Sequence, residues 1–376
     1  MSDPSPTVLI AAGGTGGHIF PGLATADAIR ALRPDIHIEF VGTKDRMEAT
    51  LVPDAGYHLN TVDAMALPRK TDPRILRLPF VLGKSVHAVS QIMQRHHVIA
   101  ACGFGGYTSV SLGLAARLHR IPLVIHEQNA VPGVTNKVLS PIATRVVGTF
   151  EATMDAMHKP RSGAIGNPVR TAFAEAITTT RMRDRGAIYA RFGLTPDRKT
   201  IVVFGGSQGA KAINNAIIAA ANNLTNPEQL QILHATGERT FDDIRRAWDL
   251  PAQGQIQVRV LPFIADMADA LQIADVVVCR SGASTLAELT VMGLPAILVP
   301  YPHATGNHQF ANAQAMTQAQ AAILIEDTSL DGPRLADTIE QTLEPRTNAR
   351  MRHASAKLGR PNAARDLAQI LLEVSR

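Results

Sequence analysis

The chain has 376 residues, of which 45% are hydrophobic and 18% charged, and it carries a net charge of +5. This length predicts two domains or at most three, and the composition is that of a globular protein with enough apolar residues for two cores. The basic excess allows an anionic membrane or a phosphorylated ligand as a partner, whereas nucleic acid is disfavoured because the sequence has no nucleic-acid-binding motif. The sequence also has no recognisable signal peptide and no uncharged apolar run long enough to span a membrane.

Short apolar runs that lead into glycines or polar residues open the first half of the chain. Strands are expected at 8–12, 36–41, 98–102 and 122–126, and an amphipathic helix is expected from about Pro21 to Leu32. This alternation of buried strand, glycine turn and helix is typical of a doubly wound parallel sheet.

The same pattern begins again in the second half, after a Gly/Pro-rich stretch at 162–170 that is typical of a linker. Strands are expected there at 199–204, 231–235, 274–279 and 296–300. The sequence therefore predicts an α/β protein with two Rossmann-like, doubly wound parallel-sheet domains facing a cleft. The predicted domains are 1–168 and 169–358.

Three glycine-rich turns follow predicted strands, at 13–17, 103–107 and 205–210. Glycines let the backbone approach a ligand closely, and the N–H groups at a helix N-terminus attract anions. Ligands of doubly wound sheets bind outside the carboxyl ends of the strands. We therefore expect the three turns to line one cleft that holds two substrates, at least one of which carries phosphates.

The first turn departs from the known nucleotide fingerprints. The GxGxxG pattern requires a glycine where Ile19 stands, and no acidic residue ends the second predicted strand, so NAD is disfavoured. No GKS or GKT follows the glycines, which excludes a P-loop. No carboxylate pair with DxD spacing and no His/Cys cluster indicates a metal, so no cofactor is predicted. A departing diphosphate would be met by backbone donors and an arginine such as Arg170.

Polar residues beside the first-half turns are candidates for the chemistry. His18 ends the first turn at a helix start, where a neutral imidazole is able to take a proton from an attacking hydroxyl, although a structural role is as well supported. Glu127 and Asn129 follow the fourth predicted strand within a run of polar residues that is difficult to place in a core. The alternative is a hydrogen-bonded turn that leads to Pro132.

In the second half, a strand is followed by a segment that combines helix-capping residues with an acid. Ser281, Ser284 and Thr285 would cap the next helix in any case, and additional donors there are suited to a diphosphate. Glu288, one turn into that helix, is placed to accept both hydroxyls of a ribose. The alternative is an acid that is favoured by the helix dipole.

Several segments, taken in chain order, resemble those of one enzyme family. They are GGTGGHIFPGLA, GFGGYTS, IPLVIHEQNAVPG, IGNPVR, GGSQGA, RSGASTLAEL and HQFANA. Over nearly its whole length the chain is thereby similar to the MurG family of UDP-N-acetylglucosamine transferases of peptidoglycan synthesis. The resemblance implies a GT-B fold with the acceptor on the N-terminal domain and the donor mainly on the C-terminal one. It also implies a last helix, at about 359–376, that packs back on the first domain.

The resemblance further implies a hexosyltransferase that needs no metal. It would transfer GlcNAc from UDP-GlcNAc, with inversion, to the MurNAc 4-hydroxyl of undecaprenyl-diphospho-MurNAc-pentapeptide (lipid I), giving lipid II. His18 would be the leading candidate for the base. Matching positions imply donor contacts by Thr15, Gly16, Gly17, Asn129, Arg170, Ser207, Ile264, Ala283, Ser284, Thr285, Leu286, Ala287, Glu288 and Gln309. They imply an acceptor-diphosphate loop made by Gly14, Gly103, Gly105, Gly106 and Tyr107.

If the acceptor is a lipid, the segment 69–84 is interpreted as a membrane anchor, because its apolar residues are flanked by basic ones and suit an anionic membrane face. A buried segment with a solvated rim is the alternative. The resemblance implies a peripheral protein on the cytoplasmic face of the inner membrane, with roles in cell shape and division and with other cell-wall synthesis proteins as partners. A UDP-GlcNAc epimerase, a transferase with a soluble acceptor and a non-catalytic nucleotide-sugar binder remain as alternatives.

Overall fold

The computed structural model describes residues 5–63, 78–157, 162–177, 185–206, 209–249 and 256–375. The chain divides into two compact units, one made of Met1–Thr171 with Arg360–Arg376 and the other of Ala172–Gly359. The boundaries expected from the sequence, at 168 and 358, lie within a few residues of these.

The first unit is built on a parallel sheet. Its strands are β1 (Pro6–Ala11), β2 (His37–Gly42), β3 (His58–Thr61), β4 (His97–Gly103), β5 (Leu123–Glu127), β6 (Arg145–Gly148) and β7 (Ser162–Ala164). They form seven parallel strands in the order β3-β2-β1-β4-β5-β6-β7. The helices between them are α1 (Gly16–Leu32), α2 (Glu48–Asp54), α3 (Leu78–Arg95), α4 (Gly106–Leu118), α5 (Val134–Leu139) and α6 (Glu151–Met157).

Strand β1 is buried on both faces, which is why its sequence is apolar without alternation. Val8 and Ile10 belong to the core on one side of the sheet, whereas Leu9 and Ala11 belong to the core on the other side. Successive residues of a strand point to opposite faces, so one short run contributes to both cores. The carboxyl end of β1 is thereby fixed where the first glycine turn begins.

The second unit repeats this architecture with different lengths. Its strands are β8 (Lys199–Phe204), β9 (Leu230–Ala235), β10 (Gln257–Leu261), β11 (Val276–Cys279), β12 (Ala296–Leu298) and β13 (Ala322–Leu324). They form six parallel strands in the order β10-β9-β8-β11-β12-β13. The helices are α7 (Thr171–Ala176), α8 (Arg185–Phe192), α9 (Lys211–Ala221), α10 (Phe241–Trp248), α11 (Met267–Gln272), α12 (Ala283–Val291), α13 (His308–Gln318), α14 (Gly332–Leu343) and α15 (Pro345–Leu358).

The last helix, α16 (Ala363–Val374), returns to the first unit and packs against α1. Leu367 and Leu371 are fully buried in the core beside β1. Gly166, whose φ is +91°, lies against the chain segment that leads into α16, because a Cβ added to Gly166 would stand 2.4 Å from the Cβ of Arg360. Only glycine fits this position without displacing the returning chain.

The first helix begins earlier than the sequence indicated. It starts at Gly16, with Thr15 as its extended N-cap residue, and Pro21 lies inside it. The carbonyl of Thr15 accepts hydrogen bonds from the N–H groups of His18 and Ile19, at 3.0 and 3.1 Å. The glycine turn and the first turn of α1 are therefore continuous, and His18 lies on that first turn.

Each unit contains a fully buried histidine whose two ring nitrogens are both hydrogen-bonded. In the first unit, His126 donates from Nε2 to the Gly166 carbonyl at 2.9 Å. In the second unit, His234 donates from Nε2 to Oδ1 of Asn214 and accepts at Nδ1 from Nε1–H of Trp248, both at 3.1 Å. Burial lowers the pKa of His126 to about 4 and the pKa of His234 to about 3.

These histidines are expected to make the protein less stable in acid. Below a pH of about 6.5 each of these histidines is protonated in the unfolded chain. In the folded protein the same histidine stays neutral until the pH falls to its lowered pKa. Their contribution is thus complete above pH 6.5 and is lost as the pH falls towards 4 for His126 and 3 for His234. At pH 5 each histidine lowers the free energy of unfolding by about 2 kcal/mol relative to pH 7.5.

Urea unfolding of the wild type and of His234→Gln at pH 7.5 and pH 5 measures this effect. The variant should be less stable at pH 7.5, because its buried partners lose their hydrogen bonds, but it should lose less stability between the two pH values. Equal losses in both proteins would show that His234 does not cause the acid sensitivity.

Candidate active site

The first two glycine turns meet at the carboxyl ends of the neighbouring strands β1 and β4. A Cβ added to Gly106, whose φ is +75°, would stand 2.8 Å from the carbonyl oxygen of Gly13. The N–H of Phe104 donates to the Ala11 carbonyl at 2.9 Å, which extends the pairing of the two strands into the turns. The turns therefore pack backbone against backbone, and a side chain at 106 would separate them.

The imidazole of His18 lies between the two turns. Its Nδ1 is 3.2 Å from the Gly13 carbonyl oxygen, and its Nε2 is 3.2 Å from the place that a Cβ on Gly105 would occupy. Because a carbonyl oxygen only accepts, Nδ1 carries the hydrogen, and the lone pair of the neutral ring is on Nε2. The ring is half-buried. An oriented lone pair beside a glycine turn suits a general base.

The buried carboxylate of Glu48 holds the first turn in place. Oε2 accepts the Gly14 N–H at 3.0 Å, and Oε1 accepts the N–H and the hydroxyl of Thr43 at 3.1 and 2.8 Å. The residue is 1% exposed. The sequence analysis did not single out Glu48. Its position soon after the second strand was a signal, because ligands of doubly wound sheets bind outside the carboxyl ends of the strands.

Both carboxylate oxygens of Glu127 accept hydrogen bonds from residues that follow it closely in the chain. Oε1 accepts the backbone N–H of Asn129 at 3.0 Å and its side-chain amide at 3.3 Å. Oε2 accepts the Gly133 N–H at 2.9 Å and the Asn136 amide at 2.8 Å. This is the hydrogen-bonded turn that the sequence left open as an alternative. Nδ2 of Asn136 also lies 3.7 Å from an added Cβ on Gly105, so this loop packs beside the second glycine turn.

Arg170 lies beside the N-terminal part of α1. Its Cζ is 5.0 Å from the ring centroid of Phe20, and a Cβ added to Gly16 would stand 3.0 Å from that same ring. A guanidinium and a helix N-terminus both attract anions, and stacking on an aromatic ring fixes the arginine.

Of the other residues singled out in this unit, Thr15 is exposed, Gly17 is half-buried and Tyr107 is 39% exposed.

In the second unit, the helices α12 and α13 begin side by side. Oγ of Ser281 donates to the Gln309 carbonyl at 2.7 Å, and Nδ2 of Asn312 donates to the Ser281 carbonyl at 3.2 Å. Oε1 of Gln309 accepts the Tyr301 N–H at 2.9 Å, which leaves Nε2 without a partner in the described part of the chain. The N-terminus of α12 and an amide group suited to a sugar hydroxyl are thus held together.

Glu288 lies in the second turn of α12 and is 9% exposed. Burial raises the pKa of the neighbouring Cys279 thiol, and the charge of Glu288 adds to that effect. Among the other residues singled out on α12, Ser284 and Thr285 are half-buried, and the side chains of Ala283, Leu286 and Ala287 are buried. The latter three are therefore available to a ligand mainly through their backbones.

The third glycine turn approaches the neighbouring strand closely. Gly209 has a φ of +72°, and a Cβ added to it would stand 2.1 Å from the Thr236 carbonyl oxygen. Ser207 lies outside the described residues. Ile264, which was singled out for the uracil, is 2% exposed and follows Phe263, which is 55% exposed.

No group of three or more His, Cys, Asp and Glu side chains in the described ranges is arranged to hold a metal ion. Among the helices that those ranges form, none is both long and apolar enough to cross a membrane.

Two doubly wound sheets, each with a glycine turn after its first strand, are typical of the GT-B fold. The glycosyltransferase family 28 N-terminal domain matches residues 8–148, and the family 28 C-terminal domain matches residues 200–368. The chain is 37% identical over 373 residues to the UDP-N-acetylglucosamine--N-acetylmuramyl-(pentapeptide) pyrophosphoryl-undecaprenol N-acetylglucosamine transferase of Halothermothrix orenii, with 97% of this chain and 98% of that protein covered. The chain belongs to this family of transferases.

Solved structures agree with this assignment. The crystal structure of MurG from Acinetobacter baumannii is 30% identical and matches with a TM-score of 0.79 over 98% of this chain and 100% of that chain. A UDP-GlcNAc 2-epimerase from Neisseria meningitidis matches with a TM-score of 0.69 over 98% and 100% of the two chains, but at 12% identity this likeness shows the fold alone. The predictions of an α/β fold of the GT-B class and of a glycosyltransferase are confirmed.

Proposed function

We propose that the protein transfers GlcNAc from UDP-GlcNAc to the MurNAc 4-hydroxyl of lipid I with inversion and so forms lipid II for peptidoglycan synthesis. The family relationship supports this activity, and the observation that carries the mechanism is the orientation of His18. Its Nδ1–H is donated to the Gly13 carbonyl, so Nε2 is the basic nitrogen.

In the proposed reaction Nε2 of His18 takes the proton of the 4-hydroxyl as that oxygen attacks C1 of GlcNAc. The bond from C1 to the β-phosphate oxygen breaks, UDP leaves with the electron pair, and attack from the opposite face inverts the anomeric centre. The imidazolium that forms is stabilised because the Gly13 carbonyl still accepts Nδ1–H. Asn129, held by Glu127, is assigned to the sugar, and Glu127 to the shape of its loop.

We assign the UDP-GlcNAc contacts to the residues that the resemblance singled out for the donor. Backbone donors at Thr15, Gly16 and Gly17, together with Arg170, suit the diphosphate, and so does the N-terminus of α12. Glu288 suits the ribose hydroxyls, the backbone at Ile264 suits the uracil, and the Gln309 amide suits the sugar. The turn of Gly14, Gly103, Gly105, Gly106 and Tyr107 is assigned to the diphosphate of the acceptor.

The acceptor is a membrane lipid, and exposed apolar side chains of the first unit support a peripheral position on an anionic cytoplasmic membrane surface. Phe80 on α3 is 82% exposed, Leu118 at the end of α4 is 70% exposed, and Val134 and Val138 on one face of α5 are each 61% exposed. Helix α4 packs against both α3 and α5. The basic residues at 69–77 lie outside the described ranges. Other cell-wall synthesis proteins are proposed as partners at the same membrane.

The experiment that tests the activity is product analysis by mass spectrometry and proton NMR, with EDTA present. UDP-GlcNAc is incubated alone, with a lipid I analogue, and with a MurNAc-pentapeptide that lacks the lipid diphosphate. The proposal predicts a β-linked GlcNAc on the lipid I analogue only. Epimerised UDP-sugar in the first sample would indicate the epimerase, and equal glycosylation of the soluble peptide would indicate a soluble acceptor.

A further inference from the structure

One peptide group connects Glu48 to His18. The N–H of Gly14 and the carbonyl of Gly13 belong to the same peptide bond. That N–H donates to Oε2 of Glu48 at 3.0 Å, and that carbonyl accepts Nδ1–H of His18 at 3.2 Å. The buried carboxylate and the imidazole are thus joined in one hydrogen-bonded chain that passes through the backbone of the glycine turn.

We propose that Glu48 is a positioning residue that orients His18 and raises its basicity through the Gly13–Gly14 peptide. This inference rests on the proposed role of His18 as the base. Glu48 does not touch the reacting atoms and acts only through the imidazole.

The physical reason is polarisation of the peptide group. A carboxylate that accepts the N–H draws the amide towards its charge-separated form, which places more negative charge on the carbonyl oxygen. That oxygen then accepts Nδ1–H more strongly, and it does so most strongly when the ring becomes an imidazolium. The same hydrogen bond fixes the tautomer with the lone pair on Nε2.

The surroundings make this chain of hydrogen bonds rigid. Oε1 of Glu48 is held by the N–H and hydroxyl of Thr43, so the carboxylate is fixed in place. A Cβ added to Gly13 would stand 2.9 Å from Oε1, which shows how closely the turn packs on the carboxylate. Because Glu48 is 1% exposed, water screens its charge little.

Other charged or titratable groups lie on elements that neighbour the two glycine turns and α1. Glu127 lies behind Asn136, which packs beside Gly105. Tyr107 is the second residue of α4, the helix that follows Gly105, and Arg170 stacks on the Phe20 ring of α1. None of these is changed by a substitution at Glu48, so an altered pH profile in such a variant reports on this carboxylate.

The test uses Glu48→Gln, which is nearly isosteric and removes the charge. Because a general base contributes about 10²–10⁴-fold and the carboxylate tunes only part of this, kcat should fall about tenfold with an almost unchanged KM for UDP-GlcNAc. The acid limb of the pH profile of kcat/KM should move to lower pH. In a His18→Ala background the same substitution should have no further effect on kcat.

The matched control is Glu39→Gln. Glu39 lies near the start of β2, the strand that precedes Glu48 in the chain, and it accepts a hydrogen bond from Asn60 at 2.6 Å, away from the glycine turn at the carboxyl end of the sheet. This variant should keep the wild-type kcat and pH profile. Far-UV circular dichroism and thermal unfolding establish that both variants are folded.

If Glu48→Gln does not fold, histidine-selective ¹⁵N NMR of the wild type still tests the proposal. The His18 signal is assigned as the one that is lost in His18→Ala. The Nδ1–H tautomer of neutral His18 is the expected result, and the Nε2–H tautomer would overturn the proposal. Wild-type kcat and pH profile in folded Glu48→Gln, together with a low kcat in His18→Ala, would overturn the peptide connection alone. Full turnover in His18→Ala would overturn both this inference and the proposed base.

Discussion

Replacing His18 by alanine is expected to lower acceptor-dependent turnover by about 10²–10⁴-fold, because that is the usual contribution of a general base. Donor affinity should change little, since the diphosphate contacts assigned here use backbone groups and Arg170 rather than the imidazole. Steady-state kinetics with a lipid I analogue and calorimetric titration with UDP separate the two effects.

The matched control is His119→Ala, at an exposed histidine after the end of α4. It should keep the turnover of the wild type. If His18→Ala also kept it, His18 would not be the base. If His18→Ala instead lost UDP binding in proportion to turnover, the residue would act in donor binding and not in proton transfer.

Replacing Glu288 by alanine is expected to raise the dissociation constant of UDP by about 10–100-fold. The loss of one hydrogen bond from a ribose hydroxyl to the carboxylate already accounts for an increase of this size, because a hydrogen bond to a charged group contributes about 1.5–3 kcal/mol. Glu288→Gln keeps one acceptor oxygen and should show a smaller increase. Calorimetry with UDP measures both variants.

The control for Glu288 is Glu228→Ala, which removes an exposed acid of the same unit. Its UDP affinity should equal that of the wild type. Thermal unfolding is needed beside the titrations, because Glu288 is 9% exposed and its removal leaves space in α12. A folded Glu288→Ala protein with unaltered UDP affinity would leave the acid as a helix residue without a role at the ribose.

The sequence predicted the central strands well because physical requirements restrict their composition. β1 and β8 are buried on both faces and run into glycine turns, so apolar runs that end in glycines indicated them directly. Strands such as β3 and β7 were missed. They are short and lie at or near the edges of the sheet, where a strand such as His58–Thr61 needs few apolar residues.

The candidate site was predicted in its parts but not in its connections. A doubly wound topology places β4 next to β1, so two glycine turns side by side could be expected, with His18 at the first of them. Two of the partners of Glu127 are Gly133 and Asn136, which a later turn brings back to it. Glu48 reaches Gly14 from the start of α2. No local pattern contains such contacts, because they depend on how distant segments fold together.

The measurement that tests the central claim most directly is the release of UDP from UDP-GlcNAc, with EDTA present, in the presence and absence of a lipid I analogue. A metal-independent transferase predicts release that depends on the acceptor and saturates with it. Equal release without the acceptor, or no release despite bound UDP-GlcNAc and added lipid I analogue, would contradict the account.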